Sequence, residues 1–173
     1  MSAPRWLARH PEAADLVFDK GVRVRDWFLG LGQYVRYFFK RRRAVRELRL
    51  MRGQFRTGYQ LAAWYKERGF KWKQDPWGGR LDYSSVPWVS VVLNYGDCDD
   101  MMRIAECVLK DRYSESWRVY VGSKSGDWHA AYILRRGGEF WLASNQNFYG
   151  PFGNRLAAAH MFYGGKTENV FYD

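Results

Sequence analysis

Apolar positions keep two different periods in different parts of the chain, helical spacing before residue 110 and alternation after it. Between Val22 and Met51, Trp27, Leu31, Tyr34, Val35, Phe38, Val45 and Leu48 recur at roughly helical spacing. That pattern predicts an amphipathic helix or helix pair, with a break at Gly30 and Gly32. A short helix around Glu12 to Phe18 precedes it, within a loose arm from Met1 to Lys20. Phe55 to Arg68, apolar at Leu61, Ala62, Trp64 and Tyr65, predicts a second helix stopped by Gly69. Gln74 to Trp88 reads as a loop rich in Asp, Pro, Gly and aromatics, placed to line a cleft. Met101 to Lys110 is helical again, with Met101 or Met102, Ala105 and Leu109 as the apolar stripe that would bury one face. Trp117 to Val121, Asp127 to Leu134 and Glu139 to Ala143 alternate as strands, the last two joined by Arg135-Arg136-Gly137-Gly138 as a hairpin. Asn154 to Tyr163 predicts a C-terminal helix. Helices first and hairpin strands later define an α+β domain with a helix packed on an antiparallel sheet.

Charge divides the chain unevenly. The net charge is +10, and the stretch from Val22 to Met51 holds Arg23, Arg25, Arg36, Lys40, Arg41, Arg42, Arg43, Arg46 and Arg49 against few acids. Residues 1–52 are therefore expected to form a basic, aromatic helical arm, and residues 53–173 the main domain. Such an arm could meet an acidic membrane, nucleic-acid phosphates or another protein, including further copies in an oligomer. It could equally pack on the domain with its arginines solvated. At 173 residues and 18% aromatics, the chain supplies one sizeable core.

The candidate chemistry starts at Gly96-Asp97-Cys98-Asp99-Asp100, which runs straight into the helix. A thiol at a helix mouth faces unpaired N–H groups and partial positive charge, which favour thiolate and could hold the oxyanion of a tetrahedral intermediate. Asp97 suits the N-cap, and Asp99 and Asp100 suit the first turn. Because these carboxylates oppose thiolate formation, a cationic partner is needed. His129, opening an alternating run, can be that partner: it takes the thiol proton and returns it to the leaving group. The hairpin carries Asn145 back towards His129, where an amide oxygen could fix the imidazole tautomer. Other readings stand beside these: Cys98 as a small core residue, His129 as a strand histidine satisfied by backbone, Asn145 as a turn former. Cys107, in mid-helix, reads as packing, and His160 on the last helix as a lesser candidate base.

Phe70-Lys71-Trp72, Asp75, Asp82, Pro87, the Gly96 to Asp100 turn, Trp128-His129-Ala130, and Trp141 with Asn145 four places on resemble the transglutaminase-like cysteine peptidase superfamily. Its bacterial and phage members share the G-D-C-[DE]-D turn. The resemblance spans about Gln54 to Asn145, just over half the chain. It implies a papain/transglutaminase-like core, Cys98 as nucleophile, His129 as base and Asn145 as the orienting residue. The family usually has an Asp in that last role, so Ser144 and Asn147 remain alternatives for the third member. The implied activity is a thiol-dependent amide hydrolase acting on a protein or peptide through a thioester. The alternative is a noncatalytic structural or adaptor protein of the same fold, such as a phage particle component docking through its arm.

The remaining signals exclude more than they assign. Two cysteines on one helix make no disulfide framework and fit a reducing compartment. Three histidines and two cysteines without paired spacing give no expectation of a metal, and no phosphate loop points to a cofactor. No apolar run reaches membrane-spanning length and Met1 to His10 lacks a signal-peptide core, so a cytoplasmic or phage-particle location is expected.

Overall fold

The computed structural model describes residues 35–74, 86–123, 128–161 and 167–173. The expectations for Glu12 to Phe18, for a break at Gly30 and Gly32, and for most of the Gln74 to Trp88 loop lie outside the described residues. A long helix, α1, covers residues 35–54. Then follow α2 (Gly58–Arg68), β1 (Lys71–Trp72), α3 (Pro87–Leu93), β2 (Tyr95–Gly96) and α4 (Cys98–Leu109), with one 3-10 turn at Lys110–Arg112. Strands β3 (Glu115–Ser123), β4 (Trp128–Arg136), β5 (Glu139–Ser144) and β6 (Asn147–Phe152) come next, then α5 (Arg155–Ala159) and β7 (Thr167–Tyr172).

Five strands form one sheet in the order β6-β5-β4-β3-β7, antiparallel throughout. The β4–β5 hairpin turns at Gly137 (φ 62) and Gly138 (φ 87), two successive left-handed positions that the tight two-residue turn requires. Alternation along β4 divides the interior. Ala130, Tyr132 and Leu134 join the buried residues of α1 to α4, whereas Ala131 and Ile133 pack with Val119, Val121, Leu142, Ala158 and Ala159. Helices α1 to α4 therefore lie on one face of the sheet and α5 on the other, which is the expected α+β arrangement with the Cys98 helix on the sheet. From α4, Met101, Met102, Ile104, Ala105, Val108 and Leu109 are all buried. Each of the larger side chains contributes roughly 1.5–3 kcal/mol relative to exposure.

Several elements differ from the sequence expectation. Helix α2 begins at Gly58, after Thr57, whose backbone N–H is received by the Gln60 side chain at 3.1 Å, and it ends on left-handed Gly69. Helix α3 starts inside the expected loop: Pro87 takes the first helical position, and Trp88, Val89, Ser90 and Val91 are buried. A segment apolar on every side has no helical stripe to reveal it. The last helix stops at Ala159 rather than Tyr163, with His160 as its C-cap, and β6 and β7 add sheet edges that the alternation did not mark.

In α1 the buried positions are Ala44, Leu48 and Met51, while Val35 and Phe38 from the expected apolar stripe are exposed. The helix is fastened from outside by ion pairs of Glu47 with Arg68 and of Arg52 with Asp111. Arg68 also donates to Asn94 Oδ1 at 2.9 Å and to the Val91 carbonyl at 2.9 Å, joining α1, α2 and α3.

Candidate active site

Cys98 is the first residue of α4 and is half-buried against the α4-side core. Asp97 caps the helix, its side chain accepting from the Asp100 N–H at 3.4 Å, and Asp99 Oδ1 accepts from the same N–H at 2.9 Å. The glycine of the motif has a steric reason. A Cβ at Gly96 would lie 2.7 Å from Asp100 Cβ and 2.8 Å from Asp100 Oδ2, so the buried Asp100 side chain occupies that space. One carboxylate oxygen from each of Asp97, Asp99 and Asp100 lies within 4.8 Å of the others. These three acids gain from the helix N-terminus and oppose ionisation of the thiol beside them.

Helix α4 runs along β4 in the same direction, which fixes what lies near its start. At its far end Glu106 pairs with Arg118 at 2.8 Å, and Arg118 stands opposite Tyr132 on β4. Beyond the 3-10 turn, Ser114 N–H reaches the Arg135 carbonyl. At its near end, burial raises the Tyr120 phenol pKa, with Asp99 adding to the rise and Arg103 opposing it. Tyr120 stands opposite Ala130, and Val121 opposite His129. The first turn of α4 thus lies at the level of Tyr120 and Ala130, one residue from His129, which by alternation shares the other face with Val121, Ala131 and Ile133.

A second chain of contacts reaches the same place. Strand β2, which leads into Cys98, pairs in parallel with β1 at Lys71↔Tyr95 and Trp72↔Gly96. Just before β1, the Phe70 carbonyl accepts from the Gln146 side chain. The turn after β5 is therefore held against the segment that carries Cys98.

His129 Nε2 is 2.8 Å from Ser144 Oγ. Both residues share the parity of Ile133 and Leu142, and with Tyr132 opposite Ala143 they are diagonal neighbours on the α5 face of the sheet. Burial drives the imidazole pKa down to about 4, so His129 is neutral at physiological pH. Ser144 is buried.

Asn145 lies in the turn that follows β5. It holds the turn at φ 48, a left-handed conformation that Asn tolerates, and its buried Oδ1 has no hydrogen-bond partner among the described residues. His129 Nε2 meets Ser144, one of the alternatives for the third member. Asn147 is exposed and pairs in the ladder with Ser144. His160 caps α5 on the opposite face of the sheet from α4. Cys107 lines a separate cleft of about 370 Å³ with Arg52, Arg103, Glu106 and Arg118, and burial pushes its thiol up. Only the hairpin parity could have selected Ser144 over Asn145 from sequence, because it decides which of two adjacent residues shares the histidine's face.

Neither a protein-family model nor a curated protein sequence matches the chain. Solved structures of Legionella pneumophila LapG are similar over part of their length. The calcium-bound form is 17% identical, with 64% of this chain covering 61% of that one at a TM-score of 0.45. The EGTA-treated form is 18% identical, with 51% of this chain covering 52% of that one at 0.41. A further LapG structure is 18% identical over 53% and 56% of the two chains at 0.40. The chain spans between about half and three fifths of each LapG chain, and the likeness concerns the fold.

Proposed function

We propose that the chain is a thiol-dependent amide hydrolase, a cysteine peptidase or amidase, with Cys98 as nucleophile, His129 as general base and Ser144 as the positioning residue. The observation that supports this most is the Nε2 to Ser144 contact of 2.8 Å on a half-buried histidine at the start of β4. The proposal requires that ring to reach Cys98 around the end of the strand, since alternation gives the two residues opposite faces of the sheet. With Nε2–H donating to Ser144 Oγ, the lone pair of the neutral ring resides on Nδ1. In the proposed reaction that nitrogen takes the Cys98 proton as sulfur attacks the substrate carbonyl. The first backbone N–H groups of α4 receive the developing oxyanion. Collapse breaks the C–N bond, the imidazolium gives its proton to the departing amine, and a thioester remains. Water then adds to the thioester, its proton passing through His129 to the released sulfur.

A protein or peptide is the proposed substrate class, from the family resemblance of the Gly96 to Asp100 turn. The turnover test uses the full chain with a casein or peptide-library digest read by mass spectrometry. New cleavage products that vanish in Cys98→Ala and fall at least a hundredfold in His129→Gln support the proposal. A folded chain that produces none, or products that persist in Cys98→Ala, count against it and favour a noncatalytic adaptor of the same fold.

A further inference from the structure

Helix α1 has a second face. At about 100° per residue, the inward side is set by Ala44, Leu48 and Met51, all buried. The opposite side presents Val35 (69% exposed), Phe38 (51%), Phe39 (95%) and Leu50 (50%). Exposed Arg42, Arg43, Arg46 and Arg49 stand among them. Residues 35–46 contain no acid at all, and Glu47, the only acid in 35–54, is engaged by Arg68. The helix docks by one side and offers a mixed apolar and cationic strip, about 30 Å long, on the other.

We propose that this outer face of α1 binds an anionic lipid surface, lying parallel to it. Apolar side chains set among arginines suit the headgroup boundary: rings and aliphatic tips enter the acyl margin while guanidinium groups meet lipid phosphates. Nucleic acid fits less well, because Val35 and Leu50 gain nothing from base stacking and would stay in water. A second copy meeting the same face would bring two sets of four arginines together. Among the described residues no helix is long and apolar enough to cross a bilayer, so the contact is peripheral.

The test is co-sedimentation of the full chain with vesicles of phosphatidylcholine alone or mixed two to one with phosphatidylglycerol. Binding is expected only to the mixed vesicles and weakens in high salt. Phe39→Ser, at an exposed position that leaves the fold intact, is expected to lower the partition coefficient about tenfold. Arg42→Gln with Arg46→Gln is expected to lower it by a similar factor. The proposal is overturned by no binding to the mixed vesicles at low salt, or by binding that Phe39→Ser leaves unchanged. It is also overturned if the chain ignores vesicles but is retained on single-stranded oligonucleotide, or forms a dimer that Phe39→Ser dissolves.

Discussion

Acid sensitivity is the sharpest consequence of a half-buried histidine whose ring is desolvated. Burial lowers the His129 pKa to about 4 in the fold, against 6.5 for an ordinary imidazole. Between those values the unfolded chain binds a proton that the folded chain does not, so stability falls as pH drops below 6.5 and stops falling from this source near 4. At about 1.4 kcal/mol per pH unit the full effect is about 3 kcal/mol, of which roughly 2 kcal/mol is gone by about pH 4.5. The perturbation is His129→Gln, which keeps a polar side chain near Ser144 but does not titrate. Urea unfolding followed by tryptophan fluorescence at pH 7 and at pH 4.5 gives each protein's loss, and carboxylate effects common to both cancel in the comparison. The wild type is expected to lose about 2 kcal/mol more than the variant. Equal losses would refute a desolvated neutral imidazole, whatever the variant's stability at pH 7.

Other consequences are local. Gly96→Ala places a methyl against the Asp100 side chain 2.7 Å away, and is expected to cost about 1–3 kcal/mol in urea unfolding. Ser144→Ala removes the Nε2 partner, and about 1 kcal/mol of stability should go with it. If amide turnover is found, kcat should fall about tenfold in that variant while KM stays put. Cys107, whose thiol is pushed up by burial, is expected to react with iodoacetamide more slowly than Cys98 at neutral pH, as counted by peptide mass spectrometry.

What the sequence revealed follows from how much each element depends on its own period. The α4 stripe and the β4–β5 hairpin were legible because each buries one face of a regular element and the turn carries two glycines. Helix α3 was hidden because Trp88, Val89, Ser90 and Val91 are buried on every side, so composition near Pro87 read as loop. Strand β6 was hidden for a related reason. It holds Gly150 and Pro151, and its burial does not alternate cleanly. For α1, local spacing marked Val35 and Phe38 as inward, but the docking side is chosen by the partner surface of α2 to α4, which lies far off in sequence. Cys98 and His129 stood out by residue type, whereas which of Ser144 and Asn145 touches the histidine turned on register, where one step reverses the face.

Under the proposed function, the serine beside His129 decides what kind of thiol chemistry is available. A carboxylate in that place would favour imidazolium and so a standing thiolate–imidazolium pair, reactive from mildly acid pH upward. Ser144 offers a dipole and no charge, burial already holds the ring neutral, and Asp97, Asp99 and Asp100 add repulsion at the sulfur. The proposed resting state is therefore thiol with neutral imidazole, and the proton moves only as sulfur attacks. Alkylation, which reports thiolate already present, should then climb steadily from about pH 6 to pH 9, without a plateau between about pH 5 and pH 7. Ser144→Asp is expected to create such a plateau by raising the imidazole pKa, and its rate at about pH 6 should rise severalfold over wild type. A wild-type plateau in the acid range would mean that a positive partner other than the neutral ring already holds the thiolate, and the general-base route would fail.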